Sequence, residues 1–184
     1  MTIATSKLTL TEFLAMPETK PASEYINGAI CSKPMPKTRH SRLQSKLIRS
    51  INEVVEAQQI AYAFPELRCV FGERAIVPDI AILTWIHIEF DNRGELVDDI
   101  RTPPDWTVEI LSPNQSANRV VDNILYCIQN GCQLGWLIDP DDRSILVFRP
   151  DRQPQLYRES DLMPVLTEIP LELTAVEIFN WLKM

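Results

Sequence analysis

At 184 residues, with 45% hydrophobic and 23% charged residues, the chain has the length of one domain with a substantial core and an ordinary soluble-globular composition. Its formal net charge of −7 excludes a protein that coats nucleic acid indiscriminately, while leaving room for a local basic groove. No apolar run approaches the roughly 18 residues of a membrane span, and Met1 to Lys7 has neither the apolar core nor the cleavage site of a signal peptide; a cytoplasmic protein with no membrane partner, folded as a single domain over residues 1–184, is expected.

Leu8 to Met16 reads as a short helix, with Thr9 or Thr11 as its cap, Leu10, Phe13 and Leu14 on one face, and Pro17 beyond its end. Glu24-Tyr25-Ile26-Asn27-Gly28-Ala29-Ile30-Cys31 reads as a hairpin, because Asn-Gly tolerates positive φ at both central turn positions; a two-residue loop sets Glu24 opposite Cys31. The longest helix is predicted from Thr38 to Gln58, burying Leu43, Leu47, Ile51, Val54 and Val55 at three- and four-residue steps. Around its start Lys33, Lys37, Arg39, Arg42, Lys46 and Arg49 gather with no Asp or Glu among them. Cations at a helix N-terminus oppose the macrodipole, so these residues are expected to meet a phosphate backbone; the alternative is a solvated face balanced by Glu53 and Glu56. His40 and Gln44, one turn apart, can point together off the helix start.

Glu66 to Phe71 and Val77 to Leu83 read as neighbouring strands joined through Gly72, and Asp105 to Pro113 contains a further strand. The last two runs each carry one carboxylate, Asp79 and Glu109. A carboxylate in an apolar strand is costly to desolvate unless a cation meets it, and two in successive strands suggest a shared hard cation such as Mg²⁺. The alternative is that Asp79 caps the strand entrance and Glu109 pairs with an arginine. After the long, acidic connection from Thr84 to Pro104 and the strand that follows it, a helix is predicted from Gln115 to Asn130, ending at Gly131, with a polar stripe along Ser116, Arg119, Asn123, Tyr126 and Asn130. Leu134 to Ile138 and Ile145 to Phe148 are strands, Leu156-Tyr157 is a short edge strand, and Thr174 to Leu182 is a helix with Thr174 and Glu177 forming a capping box. The four cysteines, Cys31, Cys69, Cys127 and Cys132, are read as reduced, mostly buried thiols.

A hairpin Glu, a basic helix with His40, Val77-Pro78-Asp79 on one strand, Pro104-Asp105-Trp106-Thr107-Val108-Glu109-Ile110-Leu111-Ser112-Pro113 on the next, and Gly131 through Trp136 to Asp139-Pro140 form an ordered set. From about Thr9 to Phe148 this set resembles the restriction-endonuclease-like superfamily named for its PD-(D/E)xK pattern, and more narrowly its Uma-type branch. The resemblance implies an α/β fold: a mixed β-sheet flanked by helices, with an N-terminal hairpin. It implies Asp79 and Glu109 as ligands for Mg²⁺ (or Mn²⁺), the Ile110 carbonyl as a further ligand, and Glu24 as an accessory catalytic acid. The superfamily's lysine normally lies two residues after the second acid, where this chain has Leu111. In the Uma-type branch it lies on the following helix before an Ile-Leu pair, where this chain has Asn123 before Ile124-Leu125. Asparagine can orient a water but carries no charge, and Arg119, one step of four earlier on the same stripe, is the candidate substitute cation, although it cannot act as a base. The expectation is a Mg²⁺-dependent DNA endonuclease working as a homodimer, its catalysis impaired at Asn123, with DNA contacts from Arg39, His40, Arg42, Lys46 and Arg119. The alternative is a catalytically inactive nucleic-acid-binding or protein-interaction module on the same fold.

Overall fold

The computed structural model describes residues 8–98, 100–113 and 115–183. Helix α1 (Leu10–Leu14) starts at a Thr9 capping box with Glu12. The hairpin follows as β1 (Ser23–Ile26) and β2 (Ala29–Ser32), with Asn27 and Gly28 at positive φ and Glu24 opposite Cys31. Then come α2 (Thr38–Val55), β3 (Ala61–Pro65), β4 (Cys69–Phe71), β5 (Arg74–Ile76) and β6 (Ile80–Thr84), closed by a 3-10 turn at Trp85–His87. The chain continues through β7 (Trp106–Ile110), α3 (Ala117–Gln129), β8 (Leu134–Asp139), β9 (Ser144–Phe148), β10 (Gln155–Tyr157) and α4 (Ala175–Asn180), whose Thr174–Glu177 capping box is present.

The strands form two sheets, a smaller one in the order β2-β1-β5-β4 and a larger one in the order β10-β9-β8-β7-β6-β3. In the larger sheet β7 and β8 run parallel and the other neighbours antiparallel, so α3 is the crossover that a parallel pair requires. Strand alternation sorts the side chains. Ile80, Ile82, Trp106, Val108, Ile110, Trp136 and Ile138 face a core shared with Leu43, Leu47 and Ile51 of α2 and Ile178 and Phe179 of α4. On the opposite face Leu137 and Phe148 pack against Val120 and Ile124 of α3. Glu109 lies between Val108 and Ile110 and so belongs to the α3 face.

Two boundaries differ from the sequence reading. β6 begins at Ile80, because Pro78 offers no N–H to a ladder and the Asp79 carbonyl is taken from outside it, by the Glu66 amide and the Gln44 side chain. β4 begins only at Cys69, since Glu66 has φ +46°, a left-handed turn that strand geometry does not allow. The short β5 pairs with β4 across Gly72, while β6 joins the other sheet. β3 went unread: it is an edge strand ending in Pro65, and its Ala61 and Ala63 are small because α2 lies directly over them.

Candidate active site

Asp79 stands at the entrance of β6, where its carboxylate is held from three sides. Oδ2 accepts from the Ile110 amide at 2.7 Å and lies 3.0 Å from His40 Nε2, while Oδ1 accepts from Lys33 Nζ at 2.7 Å. Its backbone is fixed as well, Gln44 Nε2 donating to the Asp79 carbonyl at 2.7 Å from α2. Helix α2 thus presents His40 and Gln44 together, as their one-turn spacing implied. Burial pushes the His40 pKa down, against the opposing pull of the Asp79 carboxylate beside its Nε2.

Glu109 comes from the adjacent strand, where β6 and β7 pair Ile80 with Val108. Its partner is the lysine from the hairpin exit: Lys33 Nζ lies 3.1 Å from Glu109 Oε2 and donates to the Val77 carbonyl at 2.7 Å. Three acceptors use all three protons of the ammonium. Glu24 closes the cluster from β1, Oε1 accepting from the Val77 amide at 2.9 Å and Oε2 from Asn123 Nδ2 at 3.1 Å. Glu24, Asp79 and Glu109 are 4%, 4% and 3% exposed, so three buried carboxyl groups share one ammonium. The shortage of positive charge shows in Glu109: burial raises its pKa well above the ordinary value, Lys33 opposes the rise, and Asp79 and Glu24 add to it. Burial alone would lower the Lys33 pKa, but Glu109, Asp79 and Glu24 outweigh it and hold the side chain protonated.

Lys33 stands at the wall between two cavities. One, of about 420 Å³, is lined by Lys33, His40, Asp79 and Gln115; the other, of about 500 Å³, by Glu24, Lys33, Glu109, Gln115, Arg119 and Asn123. Of the buried side-chain polar atoms that lack a hydrogen-bond partner among the described residues, two, His40 Nδ1 and Asn123 Oδ1, belong to residues lining these cavities.

The residues singled out from sequence therefore divide. Asp79, Glu109, Glu24, His40 and Asn123 meet at one place, with Asn123 hydrogen-bonded to Glu24. Arg119 is exposed on the wall of the larger cavity. Of the basic α2 residues, Arg39 pairs with Asp141 at 2.6 Å and also donates to the Pro140 carbonyl. Arg42 donates to the Trp181 and Lys183 carbonyls just beyond α4. Lys46 is half-buried, and its side chain has no hydrogen-bond or ion-pair partner among the described residues. Asp79 does stand at the strand entrance, accepting the Ile110 amide, but the cation that meets Glu109 is a lysine and not an arginine. Sequence reasoning missed Lys33 by pooling it with the basic helix, yet the hairpin register carried the signal. Glu24 is opposite Cys31, and Lys33 is two residues further along, hence on the same face as Glu24.

Among the described residues no three His, Cys, Asp or Glu side chains are grouped to hold a metal as they stand. The donor set nevertheless fits a hard divalent cation. It consists of carboxylate oxygens with excess negative charge and an unpartnered buried amide oxygen on Asn123, the ligand types that Mg²⁺ and Mn²⁺ take. Asp79 and Glu109 would hold the ion, with Glu24 and Asn123 beside it.

No helix among the described residues is long and apolar enough to cross a membrane. No curated protein matches the chain. A solved structure, a putative nuclease belonging to DUF820 from Anabaena variabilis ATCC 29413, is 47% identical to it, covers 95% of this chain and 99% of its own, and superposes with a TM-score of 0.93. The family model Uma2, described as "Putative restriction endonuclease", matches residues 10–178, nearly the whole of the described chain, and the protein belongs to that family.

Proposed function

We propose that the protein is a divalent-metal-dependent endonuclease that hydrolyses DNA phosphodiester bonds, acting as a homodimer so that two sites reach two strands. The observation that supports this reading best is the convergence of Glu24, Asp79, Glu109 and Lys33 on the wall between two open cavities. A bound Mg²⁺ or Mn²⁺ would lower the pKa of the attacking water and stabilise charge developing on the phosphate. The residues of the chain prepare the site for it. The Ile110 amide and His40 keep the Asp79 carboxylate from rotating, and Gln44 pins the backbone beneath it. Glu24 fixes the segment entering β6 through the Val77 amide, and Asn123 holds the other Glu24 oxygen. Lys33 supplies the ammonium that neither Leu111 nor Asn123 can. Arg119, on the open wall, offers charge to the sugar-phosphate backbone.

The test is cleavage of supercoiled plasmid in Mg²⁺. Wild type is expected to nick it, and Asp79→Asn and Glu109→Gln to lose about a hundredfold or more in rate, the scale of a lost electrostatic stabiliser. Equal rates for all three proteins would refute the reading. A second reading, a nucleic-acid-binding module without chemistry, draws on the pairing of both acids with Lys33. Salt-dependent DNA binding with no cleavage would favour it.

A further inference from the structure

We infer that Lys33 is an exchangeable resident cation: its ammonium holds the acids of the metal-free protein in place and leaves them when a divalent ion binds, an inference that rests on the metal-dependent reading above. The geometry carries it. Lys33 Nζ lies within 3.1 Å of both acids, 2.7 Å from Asp79 Oδ1, so it occupies the space from which a metal would be bound by both. The Asp79 carboxylate cannot simply turn away, because its other oxygen is committed to the Ile110 amide and faces His40. The lysine can turn away. It sits at the end of β2, before the exposed Pro34-Met35-Pro36 segment, and it lines both cavities, so an ammonium displaced to either side stays in the cleft.

The cluster also points to a second cation. One ammonium faces three buried carboxyl groups, and Asn123, which lines the larger of the two cavities with Glu24 and Glu109, has a buried oxygen with no donor. An ammonium can only donate hydrogen bonds, and all three of its protons are already used, so it cannot serve that oxygen as well. Exchange for a hard divalent ion relieves both shortages at once, since such an ion accepts carboxylate and amide oxygens together. The displaced ammonium is then free to meet an anionic group entering the cleft.

Two measurements on the purified full-length chain test this. The first is Mn²⁺ affinity, by calorimetry, of wild type, Lys33→Met and Asp79→Asn. Lys33→Met removes the competitor but keeps the length of the side chain, and is expected to bind Mn²⁺ at least about tenfold more tightly than wild type, with Asp79→Asn much weaker than either. The second needs no variant: acetylation of individual lysines in wild type, followed by mass spectrometry with and without Mg²⁺. Lys33 is expected to be protected in the metal-free protein and to react several times faster once Mg²⁺ is bound, with Lys37 and Lys46 unchanged. This arm stands even if Lys33→Met fails to fold. Metal binding by wild type with Lys33 still protected, or equal affinity in a folded Lys33→Met, would overturn the exchange while leaving the metal-dependent reading intact. Absence of binding by both wild type and Lys33→Met would overturn both.

Discussion

Lys33 illustrates how one side chain can be read correctly as a charge and wrongly as a location. Its three hydrogen bonds reach a carbonyl after β5, the acid before β6 and the acid within β7, so its placement depends on contacts 44, 46 and 76 residues away in sequence. Asp79 and Glu109 were legible because a carboxylate in an apolar run has few explanations. A lysine near other lysines has many. The four thiols show the same residue-scale logic in its easier form. All are free; Cys69, Cys127 and Cys132 are buried and Cys31 is partly exposed. Burial pushes the Cys69 and Cys132 pKa values up to about 12 and Cys127 well above its ordinary value. Native protein should therefore yield one fast-reacting thiol, Cys31, to a thiolate-specific disulfide reagent, and all four only in denaturant. The same shift fixes a sign. From about pH 9 toward 12 the unfolded thiols lose protons that the folded ones keep, so stability falls as pH rises through that window. Melting temperatures at about pH 8 and about pH 10, compared with a Cys69→Ala variant, measure the effect.

Among the elements, those with strong local signals came through from sequence: the Asn-Gly hairpin with its register, the Thr174–Glu177 capping box, α2, α3, β8 and β9. What did not come through was set by packing between elements. β3 is built of small residues because a helix lies on it, and β6 starts late because the Asp79 backbone is bonded elsewhere. Gly135 is a further case. A Cβ there would lie 2.4 Å from Ile124 Cγ2, so glycine lets α3 lie close on β8 and sets the height of the helix that carries Asn123 and Arg119 over the acids. Gly135→Ala must push the helix outward, and a loss of about 1–3 kcal/mol is expected, the range for overpacking a core. Urea denaturation measures it; an unchanged midpoint would mean that α3 is less tightly seated than this close approach requires. The Asn123–Glu24 hydrogen bond was equally hidden, since it joins α3 to β1 across 99 residues.

Over the whole molecule the net charge is −7, and the cations near the cleft are not equivalent. Arg39 and Arg42 are occupied by Asp141 and by the carbonyls after α4, whereas the side chains of Lys37, Lys46 and Arg119 have no hydrogen-bond or ion-pair partner among the described residues. Lys37→Glu and Arg119→Glu should therefore each lower the salt slope of duplex binding by about one unit. Arg42→Glu should chiefly lower the melting temperature. Fluorescence anisotropy across a salt series, paired with thermal unfolding, separates the two effects; a slope that moves with Arg42 and not with Arg119 would reverse the assignment. Beneath all of this lies the claim that the buried acids between β6 and β7 form a divalent-cation site. A crystal of the wild-type protein soaked in Mn²⁺ and measured for anomalous scattering tests it most directly. An anomalous peak bonded by Asp79 and Glu109, with the Lys33 ammonium moved off both, is the predicted result. A well-ordered site at saturating Mn²⁺ with no peak, and Lys33 still seated between the two carboxylates, would contradict it.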